Sequence, residues 1–217
     1  MKGRWLFVAL CALVFTQGQS LAQDQNVTYT ITDLGTLGGT SSVGCGLNSR
    51  GEVVGFSSIV TGQTHAFRWS DGEMTDLGTL PGFPFSEGRD INKHGQVVGR
   101  AYFPNRAFFW ENGTITDLGT LGGPFAFAVA INQGGQVVGG ARTASFQLHA
   151  FVWENGGMND LGALPGESAS VARAINKRGQ VAAIQHQRST PDHSSATARQ
   201  CPCQSSHSTL LSGRMAQ

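Results

Sequence analysis

The sequence predicts an all-β protein: a repeat array of four-stranded antiparallel units, β-propeller-like, with a stacked β-solenoid as the alternative. Three observations carry this reading. The chain repeats three separate motifs at a common spacing of 40 to 44 residues, the size of one propeller blade. Between the motifs, apolar residues recur with a period of two, as in a strand. Thirty glycines among 217 residues, with only 13% charged residues, suit short strands joined by tight turns.

The first motif, Asp-Leu-Gly-(Thr/Ala)-Leu, opens at Asp33, Asp76, Asp117 and Asp160, at intervals of 43, 41 and 43. The second, Asn-x-x-Gly-(Glu/Gln)-Val, opens at Asn48, Asn92, Asn132 and Asn176, at intervals of 44, 40 and 44. The third appears as His65-Ala66-Phe67-Arg68-Trp69, Arg106-Ala107-Phe108-Phe109-Trp110 and His149-Ala150-Phe151-Val152-Trp153, and the fourth copy lacks it.

Within one unit, the first strand ends at Leu47, Ile91, Ile131 or Ile175. One of its faces carries small residues, among them Gly44, Gly88, Ala128 and Ala172, which implies a second backbone close by. Asn and Gly then supply a tight turn, with local hydrogen bonding from the one and a positive φ from the other. The second strand, from Glu52, Gln96, Gln136 or Gln180, continues Val-Val-Gly in three copies and is apolar on both faces, as befits a strand inside a sheet. The third strand sets Phe and Trp two apart, on one face, as filler between packed sheets. Asp71-Gly72, Asn112-Gly113 and Asn155-Gly156 are two-residue hairpin turns into the fourth strand. That strand ends at Leu80, Leu121 or Leu164, where Pro-Gly or Gly-Gly sends the chain to the next unit.

Domain boundaries follow from where this pattern starts and stops. Residues 1–22, with Lys2 and Arg4 before the apolar run Trp5 to Phe15 and Ser20-Leu21-Ala22 at the end, read as a secretory signal peptide. Residues 23–186 form the repeat domain, about three full units with partial units at both ends, including a lone strand over Thr28 to Leu37. Residues 187–217 read as a disordered or off-pattern tail. The abrupt stop near residue 184 suggests a chain truncated or frame-shifted from a longer array, or one that pairs an open edge with another chain.

Composition narrows the partners. Without residues 1–22 the chain keeps 13 Lys and Arg against 14 Asp and Glu, a balance that points away from nucleic acid and anionic membrane. Three cysteines remain, Cys45, Cys201 and Cys203, too few for a disulfide framework, so stability rests on packing. Secretion outside the cell, or into a periplasm, is the expected location, with no membrane span after signal cleavage.

The motif set Asp-Leu-Gly-Thr-Leu-Gly-Gly, Ile-Asn-x-x-Gly-Gln-Val-Val-Gly and His-Ala-Phe-x-Trp resembles the HAF family of extracellular repeats, from about Thr30 to Val181. The resemblance implies a secreted bacterial repeat protein and brings no catalytic residues with it.

No nucleophile elbow, phosphate loop or zinc-protease motif occurs in the sequence. The recurrent Asp of Asp-Leu-Gly reads as a residue that ties down a turn or pairs with the next strand, because a calcium site needs several oxygens in one loop. His65 and His149 share a phase that Arg106 breaks, so they read as structural. Cys201-Pro202-Cys203, with nearby His186, His193 and His207, fits no zinc pattern, and no metal or cofactor is expected. Cys45 reads as a buried small residue.

Variable positions are therefore the better place to seek a ligand. Tyr102, Phe103 and Phe146 lie in loops between second and third strands, and Arg89 and Arg173 on first strands could meet an anionic ligand. The expected function is a non-enzymatic binding or scaffolding module for extracellular carbohydrate or protein. The alternatives are a polysaccharide hydrolase or lyase on the same fold, by analogy of fold alone, and a non-functional remnant.

Overall fold

A computed structural model describes residues 30–187 and 208–211. The chain divides into two compact parts, Met1–Asp33 and Leu34–Gln217, and the second holds every strand described here. The expected signal peptide lies outside the described residues. Among those residues no helix is long and apolar enough to cross a membrane.

Among the described residues every regular element is a strand, and strands follow one another as antiparallel meanders. The first unit runs β1 (Gly38–Leu47), β2 (Val53–Ile59), β3 (Thr64–Ser70) and β4 (Glu73–Gly78), paired in that order. The second runs β5 (Phe85–Ile91), β6 (Val97–Tyr102), β7 (Arg106–Glu111) and β8 (Thr114–Asp117). The third runs β9 (Gly122–Ile131), β10 (Val137–Thr143), β11 (Leu148–Glu154) and β12 (Gly157–Gly162). The fourth holds β13 (Glu167–Ile175), β14 (Val181–Gln187) and β15 (Ser208–Leu211), and joins the third sheet through one parallel bridge, Leu148 to Ala169. Pairing runs within units, whereas a solenoid would pair equivalent strands of successive units, so the array is propeller-like in its strand order.

Two expectations change here. Residues 30–36 form no strand, and only Leu37 bridges to Ile59, so the expected lone strand over Thr28 to Leu37 is not made by its described residues. The expected tail over 187–217 lies largely outside the described residues, but Ser208–Leu211 pairs with β14 in the place of a third strand.

The hairpins form for the reasons the sequence supplies. Asp71, Asn112 and Asn155 have φ of 53, 49 and 51°, each followed by a positive-φ glycine, the two-residue turn whose twist matches the strands. The first strands depart from plain alternation, because each carries a bulge, at Cys45, Arg89, Val129 and Arg173. The bulge accounts for the glycine of Val-Val-Gly. A Cβ at Gly55, Gly99 or Gly139 would overlap the backbone oxygen of Val43, Glu87 or Phe127 just before it.

Cores lie between units, one at each junction. At the first, Val54, Ala66, Leu77 and Leu80 of the first unit meet Ile91, Val97, Phe108 and Trp110 of the second. The second junction repeats the pattern with Val98, Ala107 and Leu118 against Ile131, Val137 and Phe151, and the third with Val138 and Ala150 against Val181 and Ala183. Each unit thus has a back, carrying the second Val of Val-Val-Gly, and a front, carrying the first Val with the Ile before the turn. Phe67, Phe108 and Phe151 are fully buried, and their burial contributes about 2–3 kcal/mol each.

Polar staples cross the same junctions. Asn48 Nδ2 donates to Asn92 O at 3.0 Å, Asn92 Nδ2 to Asn132 O at 3.1 Å, and Asn132 Nδ2 to Asn176 O at 3.1 Å. Asn92 and Asn132 are buried, and their Oδ1 atoms accept the turn N–H groups two and four residues on. Buried Ser86 and Ser170 each accept an N–H from, and donate to a carbonyl of, the preceding unit.

Candidate functional site

The meander puts the Asn turns and the Asp-Gly or Asn-Gly turns on one rim of the array. The loops between second and third strands, and the connectors between units, fall on the opposite rim. That second rim carries one exposed apolar tip per full unit: Val60 at 82%, Phe103 at 76% and Phe146 at 64% exposure.

The backbone at these tips is constrained. Gly62, Phe103 and Phe146 stand three residues before the third motif, and all have positive φ, at 84, 67 and 63°. In the first unit the chain uses glycine there. In the next two it places a phenylalanine, for which the left-handed region costs about 1–3 kcal/mol. The hairpins around Gly62 and Phe146 match: Ile59 N donates to Gln63 O, and Thr143 N to Gln147 O, both at 2.9 Å.

The Phe103 ring rests on neighbouring rings, and at Phe146 the loop is held through its backbone. In the second unit Phe103 packs edge-on against Phe85, with centroids 5.9 Å apart, and against Tyr102 at 6.4 Å. Arg100 lies over the Tyr102 ring at 4.5 Å, a cation–π contact. Arg100 also donates to Glu87 Oε2, which takes Arg89 Nη2 at 2.7 Å. The Tyr102 hydroxyl is buried and has no hydrogen-bond partner. In the third unit Arg142 donates from Nη1 to Phe146 O at 3.0 Å and lies 6.0 Å from the Phe125 ring, which packs on Phe127.

Of the residues expected to bind, Tyr102 and Phe103 therefore stand together, and Arg89 reaches them through Glu87 and Arg100. Phe146 stands on the next unit along the same rim. Arg173 is exposed at the bulge of β13, in the repeat place of Arg89. Arg100 and Arg142 escaped the sequence reading, although each directly precedes or lies close to a rim aromatic. Cys45 is exposed rather than buried, because the bulge turns it outward at the open end of the array.

The recurrent carboxylates serve internal pairs. Asp76 and Asp160 accept from Nδ1 of His65 and His149 at 2.9 Å, and Asp117 pairs with Arg106 at 2.7 Å. Each Asp also accepts the N–H of the Gly two residues on. His and Arg are thus interchangeable as cationic or donor partners eleven residues upstream. That spacing is constant in the sequence and would have identified the pairs. Among the described residues no group of three His, Cys, Asp or Glu could hold a metal. The two cysteines and the histidines of the tail have no described side chains.

Glu52 is the most perturbed acid. Burial opposes its charge, but hydrogen bonds from Arg68, Asn48 and Arg50 and the charge of Arg68 outweigh it and hold its pKa down at about 2. Gln96 and Gln136 stand in its place in the next units, accepting from Asn92 and Asn132 and donating to Glu111 and Glu154 at 2.7 Å. Charge sits on the outer partner there and on the inner residue in the first unit.

No protein-family model and no curated protein matches the chain.

Proposed function

We propose that this chain is a secreted, non-enzymatic repeat protein of the HAF type that binds extracellular carbohydrate or protein through the loop rim. The observation that carries the reading is the placement of Phe103 and Phe146, both exposed, in a left-handed backbone conformation where the first unit has Gly62. Folding alone favours glycine at such a place. Retaining an exposed aromatic ring there, packed on Phe85 and Tyr102 at Phe103 and with the backbone carbonyl held by Arg142 at Phe146, is the mark of a contact residue. Flat rings on a rigid scaffold suit sugar faces and apolar side chains alike, at low entropic cost.

Replacing Phe146 by Gly and Phe103 by Ala tests this. The exchange at 146 removes backbone strain, so the melting temperature is expected to hold or rise. Binding on a glycan array, or to proteins captured from the surrounding medium, is expected to fall about tenfold or more. Capture of a partner that the double variant retains undiminished would defeat the rim as the contact surface, and the absence of any partner for the unaltered chain would defeat the binding role.

A further inference from the structure

The two ends of the array fit each other. Leu47 is 67% exposed at the front of the first unit, where Ile91 and Ile131, in the same repeat place, are 4% and 6% exposed under a preceding unit. Half-buried Leu34 and Leu37 hold the repeat places of Leu77 and Leu80. The outer part of a preceding unit is thus represented by residues 34–37, and the described residues supply no inner part. At the other end the fourth unit supplies the inner strands β13 and β14, with Asn176 exposed at their turn.

Donors and acceptors match in the same way. Asn92 O accepts from its own Gly95 N and from Asn48 Nδ2 of the unit before. Asn48 O accepts from Gly51 N, and its second position is open among the described residues. Gly95, Gly135 and Gly179 each face a side chain of the unit before, at 3.0, 3.5 and 3.2 Å from a built Cβ, whereas Gly51 faces nothing within 4 Å. Gln180, which holds the repeat place of the facing Gln136, takes Asn176 Nδ2 at 2.8 Å and stands at the free end. In one chain Leu47 and Asn176 are exposed and Asn48, Gln180 and Ala182 half-buried, so neither half is fully covered.

We infer that a second copy of this chain docks head to tail, its fourth unit seated on the first unit through Ala182 against Leu47 and Asn176 against Asn48. The contact repeats the three junctions already present within the chain. It is heterologous, so it closes into a ring or extends into a filament according to the rotation per copy. It uses sheet faces, away from the loop rim, and stands or falls separately from the binding role.

The full chain is examined by sedimentation velocity and light scattering across a wide concentration range. Growth beyond the monomer with concentration is expected, and Leu47→Arg and Ala182→Arg are each expected to abolish it. Because one variant keeps a working tail and the other a working head, mixing them in equal amounts is expected to restore a dimer. A variant that melts below the parent is replaced by a milder one, Leu47→Ser or Ala182→Ser. A chain that is monomeric at every concentration overturns the inference. So does association that survives both variants, which would mark edge-strand pairing, and so does a mixture that stays monomeric.

Discussion

Leu47 and Ile91 occupy one place in the repeat, and the molecule treats them in opposite ways. Ile91 is 4% exposed and packs with Val54 and Leu77 of the unit before it, while Leu47 is 67% exposed. The same contrast recurs at the far end, where Leu161 and Leu164 are 37% and 38% exposed against 6% and 4% for Leu77 and Leu80. A residue's role in this fold is therefore set by whether a neighbouring unit covers it. Identical motif letters carry core energy in the middle and almost none at the ends, as expected of a nearest-neighbour array.

The contrast is sharpest in a pair of truncations. Ile91→Ala is expected to cost about 2–5 kcal/mol in denaturant unfolding, from lost burial and the cavity left at the first junction. Leu47→Ala is expected to stay within about 0.5 kcal/mol of the parent when measured on dilute protein, where self-association does not contribute. Equal costs at the two sites would break the comparison, because they would mean that Leu47 is covered in solution.

The asparagines give a smaller effect of the same kind. Asn92→Ala removes a bond to Asn132 O from a buried side chain, and leaves the N–H groups of His94 and Gln96 without their acceptor in a part-buried turn, for about 1–3 kcal/mol. Asn176→Ala exposes the same turn groups to water, and is expected to cost about 1 kcal/mol or less. Hydrogen exchange at the two turns would report the difference locally, and a reversed order of protection would count against the staple.

Much of this was readable from the residues. Strand order, the central place of the Val-Val strand, the two-residue turns and the shared face of Phe and Trp all follow from local rules of period and turn chemistry. The faces needed more. Period-two alternation reads smoothly through Cys45 and Arg89, where the backbone in fact bulges, so the exposure of Cys45 was missed. The Asn staple was hidden for a different reason. It joins residues 44, 40 and 44 apart, the repeat spacing itself, so the contact leaves no trace beyond the repetition that the turn already explains. At the rim, Tyr102, Phe103 and Phe146 stood out as variable aromatics. The left-handed backbone of Phe103 and Phe146 has no local sequence signal, since neither residue favours it, and only Gly62 in the same loop place hints at it.

The smallest and most specific test compares the charged first unit with its neighbours across pH. Glu52 titrates near 2 in the fold against an ordinary 4.5, so the fold binds its proton less readily than the unfolded chain does. Its stabilising effect is complete above the ordinary value and is lost as pH falls from about 4.5 toward 2. Asp90 in the second unit has the opposite sign. Burial raises its pKa despite the N–H groups of Ile131 and Ile91, so it weakens the fold as pH rises through the ordinary value of 3.8 and above. Glu52→Gln brings the first unit to the residue type of Gln96 and Gln136, but leaves Arg50 and Arg68 without their carboxylate, since Ser70 stands where the others have Glu111 and Glu154. The variant is expected to unfold more easily at neutral pH and to lose the acid-induced drop in denaturant midpoint, whereas Asp90→Asn is expected to steepen that drop. Adding Ser70→Glu to Glu52→Gln supplies the missing outer charge, and is expected to return part of the neutral-pH stability. If the drop between pH 4.5 and 2 is unchanged by Glu52→Gln, Glu52 does not carry the pH dependence that its contacts imply.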